Sequence, residues 1–259
     1  MNKGYAGVLA ASAILIAAVV LSSAGCSQSE IMMFSSKDQK LYKIDEKCTE
    51  TLVADLSSSP YPDASALTFI SKDEFYLWTG DSMHLLRWDI SNPASPSYVD
   101  LGEISVGGGG FALCKDGNLY TVSTQNQLYI IDQNTLEATP VGDGLGITVG
   151  TEGLSCHPQT DDLYLYAGAV GGLYIVDKTT GRATLVGYSG IIAPAGVGLE
   201  FDPQDATKLY ASLGPFETNL FYLYKIDPQT GAAQSLCSLP HGNRNLGARV
   251  VKKTPSLGD

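Results

Sequence analysis

The chain has 259 residues, of which 44% are hydrophobic and 17% charged, a composition that folds and excludes a wholly disordered protein. A formal net charge of −11 supplies no basic face to displace counterions from phosphates, so a nucleic-acid binder is excluded. Five scattered cysteines are too few for a disulfide-dense scaffold. In chain order, Met1-Asn2-Lys3-Gly4 is a short positive start, Tyr5 to Leu21 is an apolar stretch, and Ser22-Ser23-Ala24-Gly25 is a small-residue run. This three-part layout is that of a secretory signal over residues 1–25; the competing assignment is an uncleaved anchor, because the apolar stretch approaches bilayer-spanning length.

Ala24-Gly25-Cys26 resembles the lipobox of bacterial lipoproteins, with one departure: Ser23 stands where that family usually has Leu. The resemblance implies that Cys26 is the lipidated first residue of the mature chain. With Ser27 following it, bacterial sorting rules then imply the outer membrane, with the membrane as a partner through the N-terminal lipid (palmitate or similar acyl chains). Ordinary cleavage after Ala24 and release into the periplasm or medium is the alternative. Residues 26–30 read as a short linker, so a lipid-anchored body would sit close to the bilayer.

From Ile31 onward the chain is one unit repeated. Leu41-Tyr42-Lys43-Ile44-Asp45 recurs as Leu85-Leu86-Arg87-Trp88-Asp89, Leu128-Tyr129-Ile130-Ile131-Asp132, Leu173-Tyr174-Ile175-Val176-Asp177 and Leu223-Tyr224-Lys225-Ile226-Asp227. Each copy carries an apolar run, a turn, an aromatic-rich strand, the Leu-Tyr strand, a second turn and a closing run. Alternation of β-branched and aromatic residues between Gly, Pro, Asn and Asp reads as strand. Four antiparallel strands every ~45 residues is the pattern of a propeller blade. The first copy lacks its opening strand, and residues 247–252 supply an orphan of the right character. Pairing the two predicts an all-β, five-bladed β-propeller over residues 31–253, closed by the C-terminal strand, with residues 254–259 as a tail.

The third-strand motif followed by Asp-x-x-Thr-Gly resembles the YVTN-, NHL- and quinoprotein-like bacterial propellers. Asp89-Ile90-Ser91-Asn92-Pro93-Ala94-Ser95-Pro96 resembles the turn of the LVIVD repeat of bacterial surface proteins. The resemblance is specific for fold and covers enzymes, adhesins and scaffolds alike.

Ligands of propellers usually meet the loops that join one blade to the next. Those loops carry the candidate ligand-binding residues Tyr61, Asp63, Glu152, His241, Asn243 and Arg244. Asp63 and Glu152 are the conceivable acid pair for a hydrolase. No metal-ligand spacing occurs, and His84, His157 and His241 fall in different blades, so neither a metal nor another cofactor is expected. Cys114 and Cys156 occupy equivalent opening-strand positions and read as small core residues. Cys48 in blade one and Cys237 in blade five become neighbours if the ring closes, and a disulfide between them is a candidate clasp. The expectation is an envelope-anchored scaffold that binds a protein or glycan and has no catalytic signature. The alternative is a hydrolase or lyase working in the mouth of the central channel.

Overall fold

A computed structural model describes residues 27–193, 196–214, 220–239 and 245–252. Among the described residues there is no helix. Five four-stranded antiparallel sheets form the blades. Blade one holds β1 (Ser27–Ser35), β2 (Lys40–Ile44) and β3 (Glu50–Asp55). Blade two is β4 (Ala66–Phe69), β5 (Glu74–Trp78), β6 (His84–Asp89) and β7 (Ser97–Glu103). Blade three is β8 (Gly108–Leu113), β9 (Leu119–Ser123), β10 (Leu128–Ile131) and β11 (Ala138–Val141). Blade four is β12 (Glu152–Cys156), β13 (Leu163–Ala167), β14 (Gly172–Val176) and β15 (Ala183–Tyr188). Blade five is β16 (Val197–Asp202), β17 (Asp205–Leu213), β18 (Phe221–Ile226) and β19 (Ala233–Leu239). The last strand, β20 (Asn245–Lys252), pairs with β1 and completes blade one as its inner strand. Inner strands β4, β8, β12, β16 and β20 adjoin in that order around the axis, and β20 meets β4 to close the ring.

The repeated Asp explains each outer turn. Asp45, Asp89, Asp132, Asp177 and Asp227 each accept backbone N–H groups from residues two to four further on, as in Thr179 and Thr180 on Asp177 at 2.7 and 2.9 Å. These backbone hydrogen bonds hold all five carboxyls below the usual Asp range. The core lies between blades, where one face of each sheet packs on the next; Trp78 stacks on Phe111 of blade three at 4.7 Å. Trp88 is enclosed by Phe75 and Tyr98. Both tryptophans are core residues of blade two.

Two expectations need correction. Ser27 to Glu30 are not a linker: they are the first turnless stretch of β1 and pair with Arg249–Lys252. Their polar side chains give no apolar alternation, but backbone pairing with β20 does not require one, and Arg249 clamps Glu30 at 2.8 Å. Gly108 to Gly110 form the start of β8. Cys114 and Cys156 are not independent core residues; they form a disulfide between blades three and four, with Cα atoms 5.5 Å apart. Inner strands converge near the axis, so equivalent positions in neighbouring blades come within bridging range. A second disulfide joins Cys48 to Cys237, with Cα atoms 5.9 Å apart, across the junction of blades one and five.

Candidate functional site

The face that carries the loops from each fourth strand to the next inner strand is called the upper face, and the opposite one the lower. Inner strands start at the upper face. Glycines let them approach closely: a Cβ on Gly153 would lie 2.8 Å from Leu199 Cβ and Val197 Cγ1, and one on Gly110 would lie 2.9 Å from Leu154 N. With Leu67, Leu154, Leu199 and Leu246 filling the remainder, the axis retains a space of only about 10 Å³. That is room for a single water, so among the described residues the axis holds no substrate-sized channel.

Above this plug the mouth opens into a cavity of about 220 Å³, lined by Ser65, Gly108, Gly109, Thr124, Thr151 and Glu152 among others. Glu152 opens β12 and is buried, 3% exposed, against blade three. Its Oε1 accepts the Gly109 N–H. Desolvation pushes its carboxyl up to about 7, only partly opposed by that N–H. Glutamic acid at neutral pH is therefore in part a neutral acid here, able to donate as well as accept. Lower on the axis, burial also raises the Glu200 carboxyl, which accepts from Ser155 Oγ at 3.4 Å.

Among the described residues, Asp63 and Tyr61 have partners of their own. Asp63 accepts the Asp81 N–H at 3.0 Å and fixes the β5–β6 loop, tucked so closely that a Cβ on Gly80 would meet its carboxylate at 2.5 Å. Tyr61 belongs to a separate cluster on blade two. Its hydroxyl donates to Asp100 Oδ2 at 2.9 Å and lies 3.1 Å from His84 Nδ1, with the two rings stacked at 4.8 Å. His84 Nδ1 is 2.9 Å from Asp100 Oδ1. The hydrogen bond to Asp100 raises the Tyr61 hydroxyl; hydrogen bonds from His84 and Tyr61 outweigh desolvation and hold Asp100 down. Asp63 and Glu152 thus have separate structural partners. Cys26, His241, Asn243 and Arg244 lie outside the described residues.

Cys114, Cys156 and Asp161 bring ligand atoms within 4.8 Å of one another. The two sulfurs are bonded to each other and Asp161 is paired with Lys178 at 2.7 Å, so the group has no free thiolates to offer a cation. Sequence reasoning singled out Glu152 but not its neutralisation. The signal lies in Gly109 and Gly110, whose missing side chains let blade three close over the carboxyl.

No protein-family model matches the chain, and no curated protein does. Solved structures do resemble it. A Bacteroides thetaiotaomicron protein of unknown function superposes with a TM-score of 0.56 at 15% identity, covering 80% of this chain and 54% of that one. An auxiliary nutrient binding protein from Bacteroides ovatus gives 0.53 at 13% identity, covering 79% and 56%. A chain of a nidogen/laminin complex gives 0.57 at 10% identity, covering 87% and 100%. The chain spans about half the length of the two Bacteroides proteins. At these identities the likeness is one of fold.

Proposed function

We propose that the protein is a non-enzymatic binding module of the bacterial cell envelope, anchored by a lipid on Cys26, that engages a protein or glycan through its upper mouth. The observation that carries this reading is the contrast along the axis: it is closed below, and open above into a small cavity floored by a buried, partly neutral acid. At about 220 Å³ the cavity is smaller than the ~300 Å³ at which pockets for whole small molecules begin. It suits the end of a larger chain, held by the Glu152 carboxyl and by backbone of the glycine rim. Two disulfides fit an oxidising, extracytoplasmic compartment. Ser27 pairs with Lys252 at the lower end of blade one, so a lipid on the preceding residue would turn the mouth away from the membrane. One fold relative is an auxiliary nutrient binding protein, with which such a role is compatible.

The test is retention of solubilised envelope components on the immobilised protein. A glycan or protein component is expected to be held at pH 5.5 and released above pH 8, where Glu152 has lost its proton, and Thr124→Arg is expected to abolish retention by filling the mouth. Absence of any retained component at either pH overturns the proposal. Incorporation of labelled fatty acid in the wild type and its loss in Cys26→Ala checks the anchor separately.

A further inference from the structure

At each junction between blades, the second residue of the apolar half of the second strand points at the next blade. In blades two to five this residue is Tyr76, Tyr120, Tyr164 or Tyr210, and in blade one it is Met32. Facing it is the residue just after the repeated Asp of the next blade. Gln133 accepts the Tyr76 hydroxyl at 3.1 Å. Lys178 sits 5.6 Å from the Tyr120 ring centre and bonds Asp116, which accepts the Tyr120 hydroxyl at 2.9 Å. Glu46 accepts the Tyr210 hydroxyl at 2.6 Å. Met32 and Ile90 belong to one hydrophobic cluster, an apolar residue opposite an apolar position. Four junctions are thus latched by matched chemistry.

The fifth is not. Opposite Tyr164 stands Pro228, which has no polar side-chain atom to offer, and among the described residues the Tyr164 hydroxyl has no hydrogen-bond partner. Here the blades part around a groove of about 760 Å³ at the lower rim, within the range of sites that hold organic ligands. Its wall is preorganised: the Tyr164 ring packs edge-on to Phe201 at 5.1 Å, and His157 lies 6.1 Å from Tyr164 and 5.1 Å from Phe201. Gln159, Thr207, Gln229 and Gln234 line the rest. Its charged side chains are one Lys and one Asp, Lys225 and Asp227, and the Asp227 carboxylate is committed to the Gln229 N–H at 2.8 Å.

We propose that this unlatched groove between blades four and five is a second binding site, for a neutral carbohydrate, distinct from the upper mouth. Each glutamine amide offers both donor and acceptor, as does the Tyr164 hydroxyl, and sugar hydroxyls need both. The His157 ring, with Ala206, Ala232 and Ala233, supplies apolar contact for the sugar's C–H faces. A balanced charge gives no preference for an ionic ligand. The junction of blades five and one also has a groove, of about 470 Å³, but it is latched by Tyr210 and Glu46 and lined by Glu30, Lys43, Asp202 and Lys208. Its chemistry is ionic.

The test uses the purified full chain titrated calorimetrically with cellohexaose, chitohexaose, maltohexaose and mannohexaose at pH 7. At least one is expected to bind. Pro228→Gln places opposite Tyr164 the amide that Gln133 presents to Tyr76; it is expected to close the latch, weaken binding at least tenfold and leave the thermal midpoint the same or higher. Gln234→Ala, an exposed change that leaves the latch alone, is expected to weaken binding several-fold. Failure of all four sugars to bind overturns the proposal, as does binding that survives unchanged in Gln234→Ala and in any Pro228→Gln protein that folds.

Discussion

Glu152 shows how much of a residue's chemistry is set by its neighbours. The sequence puts it in an inter-blade loop, close to its place at the mouth end of the inner strand that follows, but the displaced proton equilibrium depends on Gly109 and Gly110 closing over it. The displacement makes stability depend on pH. Unfolded, a Glu carboxyl loses its proton near 4.5, and folded near 7. Between those values the native state holds more protons, so stability falls as pH rises through the window and levels off above about 7. The span corresponds to about 3 kcal/mol at most. Glu200, raised for the same reason, acts in the same direction. Glu152→Gln, which can still accept the Gly109 N–H, is expected to flatten this slope and raise the melting temperature at pH 8 more than at pH 5, read by thermal unfolding at both. Tyr61 and Asp63 illustrate the opposite outcome: polar loop residues whose hydrogen-bonding capacity is consumed by their own blade.

Strands were the most legible part of this chain, because alternation and the Leu-Tyr-x-x-Asp repeat are local. What escaped was everything that depends on the neighbouring blade. Gly108 to Gly110 have no strand propensity of their own and are drawn into β8 by pairing with β9 and packing on β12. Cys114 and Cys156 lie 42 residues apart, and only the convergence of inner strands shows them as partners. The Tyr latches likewise belong to no single repeat. Their pattern appears when each blade is compared with the one after it. Convergence at the axis is also where an element is least tolerant. Gly153→Ala would drive a methyl group to 2.8 Å from Leu199 and Val197, side chains already locked in the core. A loss of roughly 1–3 kcal/mol is expected from such overpacking. Denaturant unfolding would show a lower midpoint, whereas Gly117→Ala, on an open turn, would show at most the strain of its positive φ.

As a whole the molecule is a ring whose two ends meet in one blade, and that closure was legible because the first repeat is short by one strand and the C-terminus has one to spare. Its covalent clasp spans the same region. The Cys48–Cys237 bridge encloses 189 residues of sequence separation, for which the chain-entropy relation gives about 5 kcal/mol. Cys114–Cys156, separated by 42, gives about 4 kcal/mol. Removing the first pair as Cys48→Ser with Cys237→Ser is expected to lower the melting temperature more than removing the second, and a reductant should lower that of the wild type further than either. Equal melting temperatures with and without reductant would contradict this assignment of the clasp.

The pairing of β20 with β1 also sets a clock. A ribosome makes β1 among the first parts of the folded body and β20 last, with more than 200 residues between them. At roughly 5–20 residues per second, β1 waits about ten to forty seconds with its inner edge bare. Early blades can stack meanwhile, but no nascent intermediate can reach the closed ring. The protein is thus kept loose, and open to strand-pairing errors at that edge, until β20 has been made.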